Sequence, residues 1–218
     1  MILCDIGNTT FHFNTKKKDF KIGVKDSLKK LFKYKEIIYF ISVNEKATKK
    51  LLKNYPNSVN IKDIISFDTS YVGMGTDRKV VCSYLKNAII VDSGSAITVD
   101  IMKKGEHKGG FILPGIEAYK KIYPQISKKL VFQFSNNINL DKMPLITNDA
   151  INYAILNSIV LPILKAYKKY KMPLYFTGGN SQLLLNCFNN IDIKYEEDLI
   201  FKSMAKIIKK NKDKKRGK

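Results

Sequence analysis

The sequence predicts an α/β fold built from two related halves. A strand–turn–strand segment with the pattern D-x-G-[NS]-[TA] occurs twice, at residues 5–9 and 92–96, each time between two apolar, strand-like runs. Short β-rich runs also alternate with segments of helical spacing, which is typical of an α/β architecture. The second copy begins near Asn87, so we expect an N-terminal domain over residues 1–86 and a C-terminal domain over residues 87–218.

The first half opens with strands and then alternates. Apolar β-rich runs predict strands over residues 1–4, 10–13, 20–22, 36–42 and 61–67. Helical spacing of apolar residues predicts helices over residues 25–34, 45–54 and 77–86.

The second half repeats this pattern. It predicts strands over residues 88–91, 97–101, 109–113, 174–177 and 191–195, and helices after Gly115, over 148–170, over 180–188 and from Glu197 onward. The apolar stretch 150–164 contains two asparagines and a proline and is too short to span a membrane, so we expect a buried or interface helix. We expect the basic segment 206–218 to be a frayed, flexible helix end.

Composition restricts the classes of partner. The net charge is +20, but Arg78 and Arg216 are the only arginines, and readout of base edges relies heavily on arginine. We therefore expect solvated lysine faces and no specific nucleic-acid site. The cysteines Cys4, Cys82 and Cys187 are scattered and odd in number, which favours a reducing cytoplasm. No signal peptide or membrane partner is expected.

The two aspartate–glycine turns are candidates for phosphate binding. Glycine lets a backbone approach a ligand closely and present its N–H groups, and the aspartate at the strand end can hold a hydrated cation. A single Asp-x-Gly turn is more often an ordinary hairpin. Two copies with matched flanks favour a duplicated domain that binds a nucleotide from both sides.

A third motif, Gly75-Thr76-Asp77-Arg78, begins a predicted helix. The aspartate alone is explained by the helix dipole. Arg78 is harder to explain in a chain that otherwise uses lysine, and it indicates a need for the planar guanidinium, which binds a carboxylate or phosphate through two hydrogen bonds.

Together these motifs resemble type III pantothenate kinases, members of the actin-like (ribonuclease H-like) superfamily of acetate and sugar kinases. The resemblance is carried by residues 5–9, 75–78, 92–96, 109–115, 147–150 and 178–179, in the family's order. It implies two α/β domains with a nucleotide cleft between them. It also implies ATP-dependent phosphorylation of pantothenate to 4′-phosphopantothenate, the first step of coenzyme A biosynthesis.

The resemblance also implies roles for individual residues. The implied ATP-binding residues are Asp5, Ile6, Gly7, Asn8, Thr9, Thr10, Phe11, His12, Ser95, Gly178 and Gly179. The implied pantothenate-binding residues are Tyr71, Gly75, Thr76, Asp77, Arg78 and Thr147, the last from the same or the partner subunit. Asp77 is the implied catalytic base, and Asp92 and Asp5 are implied metal ligands. Mg²⁺ accompanies ATP, Asp92 holds a monovalent cation (K⁺ or NH₄⁺), and the enzyme is a cytoplasmic homodimer.

Two other interpretations remain open. One is a different small-molecule kinase or phosphohydrolase of the same superfamily. The other is a non-enzymatic accessory protein of transcription, against which the intact Asp5, Asp77 and Asp92 speak. The chain is also short for the family between residues 13 and 71, and Tyr71 stands closer to Gly75 than the family's substrate tyrosine does.

Overall fold

The computed structural model describes residues 1–33, 35–188 and 191–216. Contacts among these residues divide the chain into two units. One comprises Met1–Tyr84 with the C-terminal segment that begins at Asp198, and the other comprises Leu85–Glu197. The division lies next to the expected border at Asn87, whereas the C-terminal segment groups with the first unit and not with the second.

Ten strands and six α-helices follow one another along the described chain. The strands are β1 (Ile2–Ile6), β2 (Thr10–Asn14), β3 (Asp19–Gly23), β4 (Ile38–Ser42), β5 (Val59–Asn60), β6 (Ala88–Ser93), β7 (Ala96–Lys103), β8 (Glu106–Pro114), β9 (Leu174–Thr177) and β10 (Ile193–Tyr195). The helices are α1 (Glu45–Asn54), α2 (Thr76–Cys82), α3 (Ile116–Ile126), α4 (Thr147–Tyr170), α5 (Gln182–Leu185) and α6 (Leu199–Arg216).

Each unit contains a five-stranded sheet with the same topology. The order is β3-β2-β1-β4-β5 in the first unit and β8-β7-β6-β9-β10 in the second. In both, the first strand pairs antiparallel with the second and parallel with the fourth. The predicted duplicated α/β fold is therefore confirmed, and the two aspartate–glycine turns join equivalent strands.

The first unit buries apolar side chains on both faces of its sheet. Along β1, Cys4 and Ile6 pack in a cluster with Phe11 and Phe13, whereas Leu3 packs in a second cluster with Ile41 and Val80. This alternation follows the period of two in a strand. Burial, together with the nearby Asp5 charge, raises the pKa of the Cys4 thiol well above its usual value.

Helix α4 supplies much of the core of the second unit. Ile155, Ile159 and Ile163 are fully buried in one cluster with Val91 and Phe176 of the sheet. By length and composition α4 is also the single helix in the described chain that could cross a membrane. A core helix passes the same test, and the buried isoleucines fit the predicted buried helix.

The helix predicted over residues 25–34 is wrong for its described part. Residues 25–33 form turns and bends, and Tyr34 lies outside the described residues. Side chains of α1 and its C-cap bind the backbone carbonyls here: Lys50 Nζ donates to Val24 O at 2.9 Å and Tyr55 Oη donates to Leu28 O at 2.8 Å. These carbonyls are thus satisfied without helical hydrogen bonds.

The strand predicted over residues 61–67 is also wrong. Pairing with β4 ends at Asn60, whose side chain accepts a hydrogen bond from Lys62 N at 3.0 Å and begins a 3-10 helix at Ile61–Asp63. Such local side-chain hydrogen bonds compete with the hydrogen bonds of a sheet.

Two predicted helices are shorter than expected. The helix predicted over residues 77–86 is observed as Thr76–Cys82, and the helix predicted over residues 180–188 is observed as Gln182–Leu185.

Helix α6 packs within the first unit. Phe201, Met204 and Ile208 are buried in the cluster that contains Leu3 and Val80. Residues 206–216 continue this helix, whereas Gly217 and Lys218 lie outside the described residues. The expected flexibility of the exposed residues 212–216 stays a prediction.

Candidate functional site

The first aspartate–glycine turn is a hairpin between β1 and β2. Asp5 stands opposite His12 in the antiparallel register, and the Gly7 N–H donates to Thr10 O at 3.0 Å. The Thr9 carbonyl accepts from Val24 N at 2.9 Å. Asn8 and Thr9 are exposed residues at the tip of this hairpin.

The second turn joins β6 to β7 and has a matching backbone bond. Gly94 N donates to Ala96 O at 3.0 Å. A Cβ atom added to Gly7 or Gly94 would lie 3.7 Å from the nearest carbonyl oxygen, an ordinary contact. Neither glycine is therefore required by protein packing, which fits a role in admitting a ligand close to the backbone.

Gly178 is required by the fold. It has φ +90°, and an added Cβ would overlap Asp92 Oδ1 and the Ser93 carbonyl. The turn after β9 therefore lies directly against the Asp92 carboxylate. By contrast, an added Cβ at Gly179 would meet no protein atom within 4 Å, so space remains beside that residue.

A glycine at the start of α3 also lies against the second turn. A Cβ atom on Gly115 would overlap the carbonyl oxygens of Gly94 and Ser95. The last glycine of the 109–115 segment thus lets α3 begin in contact with the turn. The strand before it is anchored by a buried hydrogen bond between His107 Nε2 and Asp100 Oδ1, at 2.8 Å.

Ser93 has an unusual side chain. Its hydroxyl is fully buried. Among the buried side-chain oxygens and nitrogens of the described residues, this is the one atom without a hydrogen-bond partner. An unpaired buried hydroxyl costs about 1–3 kcal/mol of stability. Such atoms call for an explanation, and this one lies at the end of β6, in the residue that follows Asp92.

The 75–78 segment forms the start of α2, as the sequence predicts. Gly75 is the N-cap residue, and Asp77 Oδ1 accepts a hydrogen bond from Arg78 N at 2.8 Å. A Cβ atom on Gly75 would lie only 2.5 Å from that oxygen, so glycine makes room for the carboxylate. The half-buried Asp77 side chain is thereby held at the positive end of the helix.

Arg78 is buried, with 7% of its surface exposed. Its guanidinium carbon lies 4.6 Å from the centre of the Tyr71 ring, a cation–π contact. The structure thus brings together two of the predicted pantothenate-binding residues and gives Tyr71 a contact with Arg78.

His12 contacts the neighbouring strand. Its Nε2 lies 2.5 Å from Asp19 Oδ1, and its ring meets the Phe201 ring edge-on at 4.8 Å. Partial burial alone would raise the pKa of the Asp19 carboxyl, but hydrogen bonds from Asn14 and His12 outweigh it and hold that pKa below its usual value.

The other predicted residues are placed as follows. Ile6 and Phe11 are fully buried core residues, so any contact with ATP would come from their backbone. Ser95 is exposed in the second turn, and Thr147 is the exposed first residue of α4.

Two asparagines that the sequence analysis missed contact the turns. Asn44 Nδ2 donates to Asn8 O at 3.2 Å, and Asn180 Nδ2 lies 3.5 Å from Gly94 O. Each stands between a strand and a helix, where asparagine is common as a cap. From the sequence, each asparagine is therefore interpreted as a cap. Its contact with a turn becomes visible only when the strand pairing shows which turn lies beside it.

Comparisons with known proteins agree with this arrangement of motifs. The family model described as type III pantothenate kinase matches residues 1–169. A type III pantothenate kinase of Helicobacter hepaticus is 42% identical over 212 residues, which is 96% of this chain and 99% of that protein.

Solved structures extend the comparison. The crystal structure of a Campylobacter jejuni protein, described as a Baf family transcriptional activator, has a TM-score of 0.81 and 40% identity, with 98% of this chain and 100% of that chain covered. Component A of (R)-2-hydroxyglutaryl-CoA dehydratase from Acidaminococcus fermentans has a TM-score of 0.50 at 11% identity, with 97% and 98% covered, a likeness of fold alone. The family match and the relatives along nearly the whole length show that this chain belongs to the type III pantothenate kinase family.

Proposed function

We propose that the pantothenate kinase reaction of this chain, which belongs to coenzyme A biosynthesis, is carried by the start of α2 and the two aspartate–glycine turns. The observation that carries the proposal is the pair at the start of α2: the Asp77 carboxylate accepts a hydrogen bond from the backbone N–H of Arg78, whose side chain is buried. A carboxylate and a buried arginine on consecutive residues suit a substrate that has both a hydroxyl and a carboxylate, as pantothenate does.

Asp77 acts on the hydroxyl of pantothenate. The hydroxyl oxygen forms a bond to the γ-phosphorus of ATP while the bond from that phosphorus to the β–γ bridging oxygen breaks, and ADP leaves. Asp77 accepts the hydroxyl proton, which a general base does with a gain of about 10²–10⁴-fold in rate. Arg78 binds the pantothenate carboxylate through two parallel N–H donors and so aligns the hydroxyl.

The two turns bind the phosphates. Asn8, Thr9 and Ser95 are exposed residues, and no packing requirement explains Gly7 or Gly94. A kinase of this family uses ATP with a divalent metal, which neutralises phosphate charge during transfer. We assign Asp5 to that metal because carboxylates suit hard cations.

Asp92 is assigned to a monovalent cation. Its carboxylate lies against the Gly178 turn, as does the backbone carbonyl of Ser93. Oxygen ligands of this kind suit K⁺ or NH₄⁺. The observations support an oxygen-lined position, and the identity of the ion is the proposal.

We further assign a homodimer in which Thr147 contributes to the pantothenate site. Thr147 is exposed at the start of α4, and the same helix exposes Leu161, while α3 exposes Ile122 and Ile126. Exposed apolar side chains on two helices support an interface between copies. The three free cysteines, of which Cys4 and Cys82 are buried, support a reducing, cytoplasmic location.

The test is ATP consumption with and without pantothenate, followed by a panel of other hydroxy acids and alcohols. Pantothenate-dependent ADP formation supports the proposal. ADP formation with another acceptor, and not with pantothenate, would show that this other compound is the substrate. The description of the Campylobacter neighbour as a transcriptional activator motivates one further arm. DNA binding without any ATP turnover would favour an accessory role in transcription.

A further inference from the structure

The duplication places an asparagine at the same position in both units. In the first sheet, Asp5 of the turn pairs with Ile41 of β4, and in the second sheet Asp92 pairs with Thr177 of β9. Three residues after each of these partners, the chain carries Asn44 and Asn180. The two asparagines are therefore equivalent in the duplicated fold, although neither belongs to the repeated turn motif.

Asn44 is rigidly held. Its Oδ1 accepts from Ala47 N at 3.0 Å, which caps α1, and its backbone carbonyl accepts from Thr48 Oγ1 at 3.0 Å. Its backbone N–H donates to Ser42 Oγ at 3.0 Å. The remaining amide donor, Nδ2, reaches the Asn8 carbonyl at 3.2 Å. A fixed donor thus holds the carbonyl of Asn8 at the tip of the first turn.

Asn180 holds the second turn in a related way. Its backbone N–H donates to Ser93 O at 2.9 Å, and its Nδ2 lies 3.5 Å from Gly94 O, at the long limit of a hydrogen bond. The main-chain bond is the shorter one, so the side chain contributes less here than in the first unit.

We propose that Asn44 and Asn180 are equivalent positioning residues that fix the two turns in the conformation that binds the phosphates of ATP. Because a trans peptide is planar, fixing the Asn8 carbonyl also fixes the opposite direction of the Thr9 N–H, and fixing the Gly94 carbonyl fixes the Ser95 N–H. The anchored carbonyls cannot rotate toward an anionic ligand. A turn ordered before binding also loses less entropy on binding. The inference rests on the proposed phosphate-binding role of the turns.

The test separates this role from helix capping. Serine is as good an N-cap as asparagine, but its short side chain lacks the amide donor, so Asn44→Ser removes the contact to Asn8 and keeps the cap. We expect its calorimetric Kd and KM for ATP to rise about three- to tenfold, as for the loss of one ordinary hydrogen bond. Melting temperature and KM for pantothenate stay unchanged. Asn180→Ser should raise the ATP constants about twofold, because its main-chain bond remains.

Two further variants make the outcome decisive. Asn54→Ala removes a comparable bond, Nδ2 to Lys50 O at 2.9 Å, at the other end of α1, and should leave the ATP constants unchanged. Gly7→Val obstructs the turn itself and should abolish ATP binding. If Asn44→Ser binds ATP normally while Gly7→Val does not, the positioning role is overturned and the phosphate role of the turns stands. If Gly7→Val also binds ATP normally, the assignment of the turns is wrong. Asn44→Asp, which keeps the cap but lacks the donor, substitutes if the serine variant does not fold.

Discussion

Asp77 is the residue on which the proposed chemistry depends. Its carboxylate is held by the Arg78 N–H and rests over Gly75, so Asp77→Asn keeps the shape and the hydrogen bond but cannot accept a proton. We expect kcat to fall about 10²–10⁴-fold with little change in the Kd for ATP. Steady-state kinetics and ATP titration measure both. A loss below about tenfold would place the base elsewhere.

Arg78 should determine affinity for pantothenate. Arg78→Lys keeps the charge but loses the paired donors and the flat surface that stacks on Tyr71. We expect KM for pantothenate to rise by a factor equivalent to about 1.5–3 kcal/mol, with KM for ATP unchanged. Tyr71→Phe is the matched control, because it keeps the stacked ring. An equal loss of ATP affinity in Arg78→Lys would assign Arg78 to the phosphates instead.

Asp92 should make turnover depend on a large monovalent cation. Its carboxylate beside the Gly178 turn suits a weakly hydrated ion, which would add positive charge without competing for the octahedral site that Mg²⁺ requires. We expect activity to be lost in a buffer with an organic counterion, restored by potassium or ammonium and poorly restored by sodium. Asp92→Asn should lose the response. Full activity of the unchanged protein without potassium would leave Asp92 with a different role.

At the scale of elements, α6 combines a buried stripe with an exposed basic end. Ile207 and Ile208 are buried, whereas residues 209, 210 and 212–216 are exposed. A chain ending at Lys209 should therefore keep its melting temperature and activity, because the described residues that it loses, 210–216, are exposed except for the half-buried Asn211, and most are charged. Ile208→Ala should lower the free energy of unfolding by about 2–5 kcal/mol. Thermal denaturation compares the two, and a large loss from the truncation alone would show that the basic end packs.

The elements show what sequence can predict. Helix α1 and strand β9 occur as predicted, and the predicted long helix begins one residue earlier as α4, because their apolar periodicity agrees with their packing. The helix predicted over residues 25–34 does not form in its described part, because Lys50 and Tyr55, which are distant in sequence, donate hydrogen bonds to backbone carbonyls of this part of the chain. Asn44 and Asn180 were missed for a related reason. The contacts of these two asparagines with the turns depend on the register of parallel strands, and a local sequence pattern does not contain that register.

At the scale of the whole molecule, repulsion among like charges lowers the stability of the folded chain. The chain carries 39 basic and 19 acidic residues, a net charge of +20. Ion pairs such as Lys120–Glu117 and Lys108–Glu106 join exposed side chains. Exposed pairs contribute about 0–1 kcal/mol each, so they offset little of the repulsion among the remaining lysines. The balance of surface electrostatics therefore disfavours the folded state at low salt.

Screening should consequently stabilise this protein. Raising sodium chloride from about 20 to 300 mM shortens the Debye length from about 20 Å to 6 Å, which weakens repulsion between separated lysines. We expect the melting temperature to rise by about 2–4 °C, equivalent to about 1 kcal/mol for a chain of this size. Tetramethylammonium chloride at equal ionic strength is the control, because screening does not depend on the cation. A melting temperature that falls with either salt would mean that attractive ion pairs outweigh the net charge.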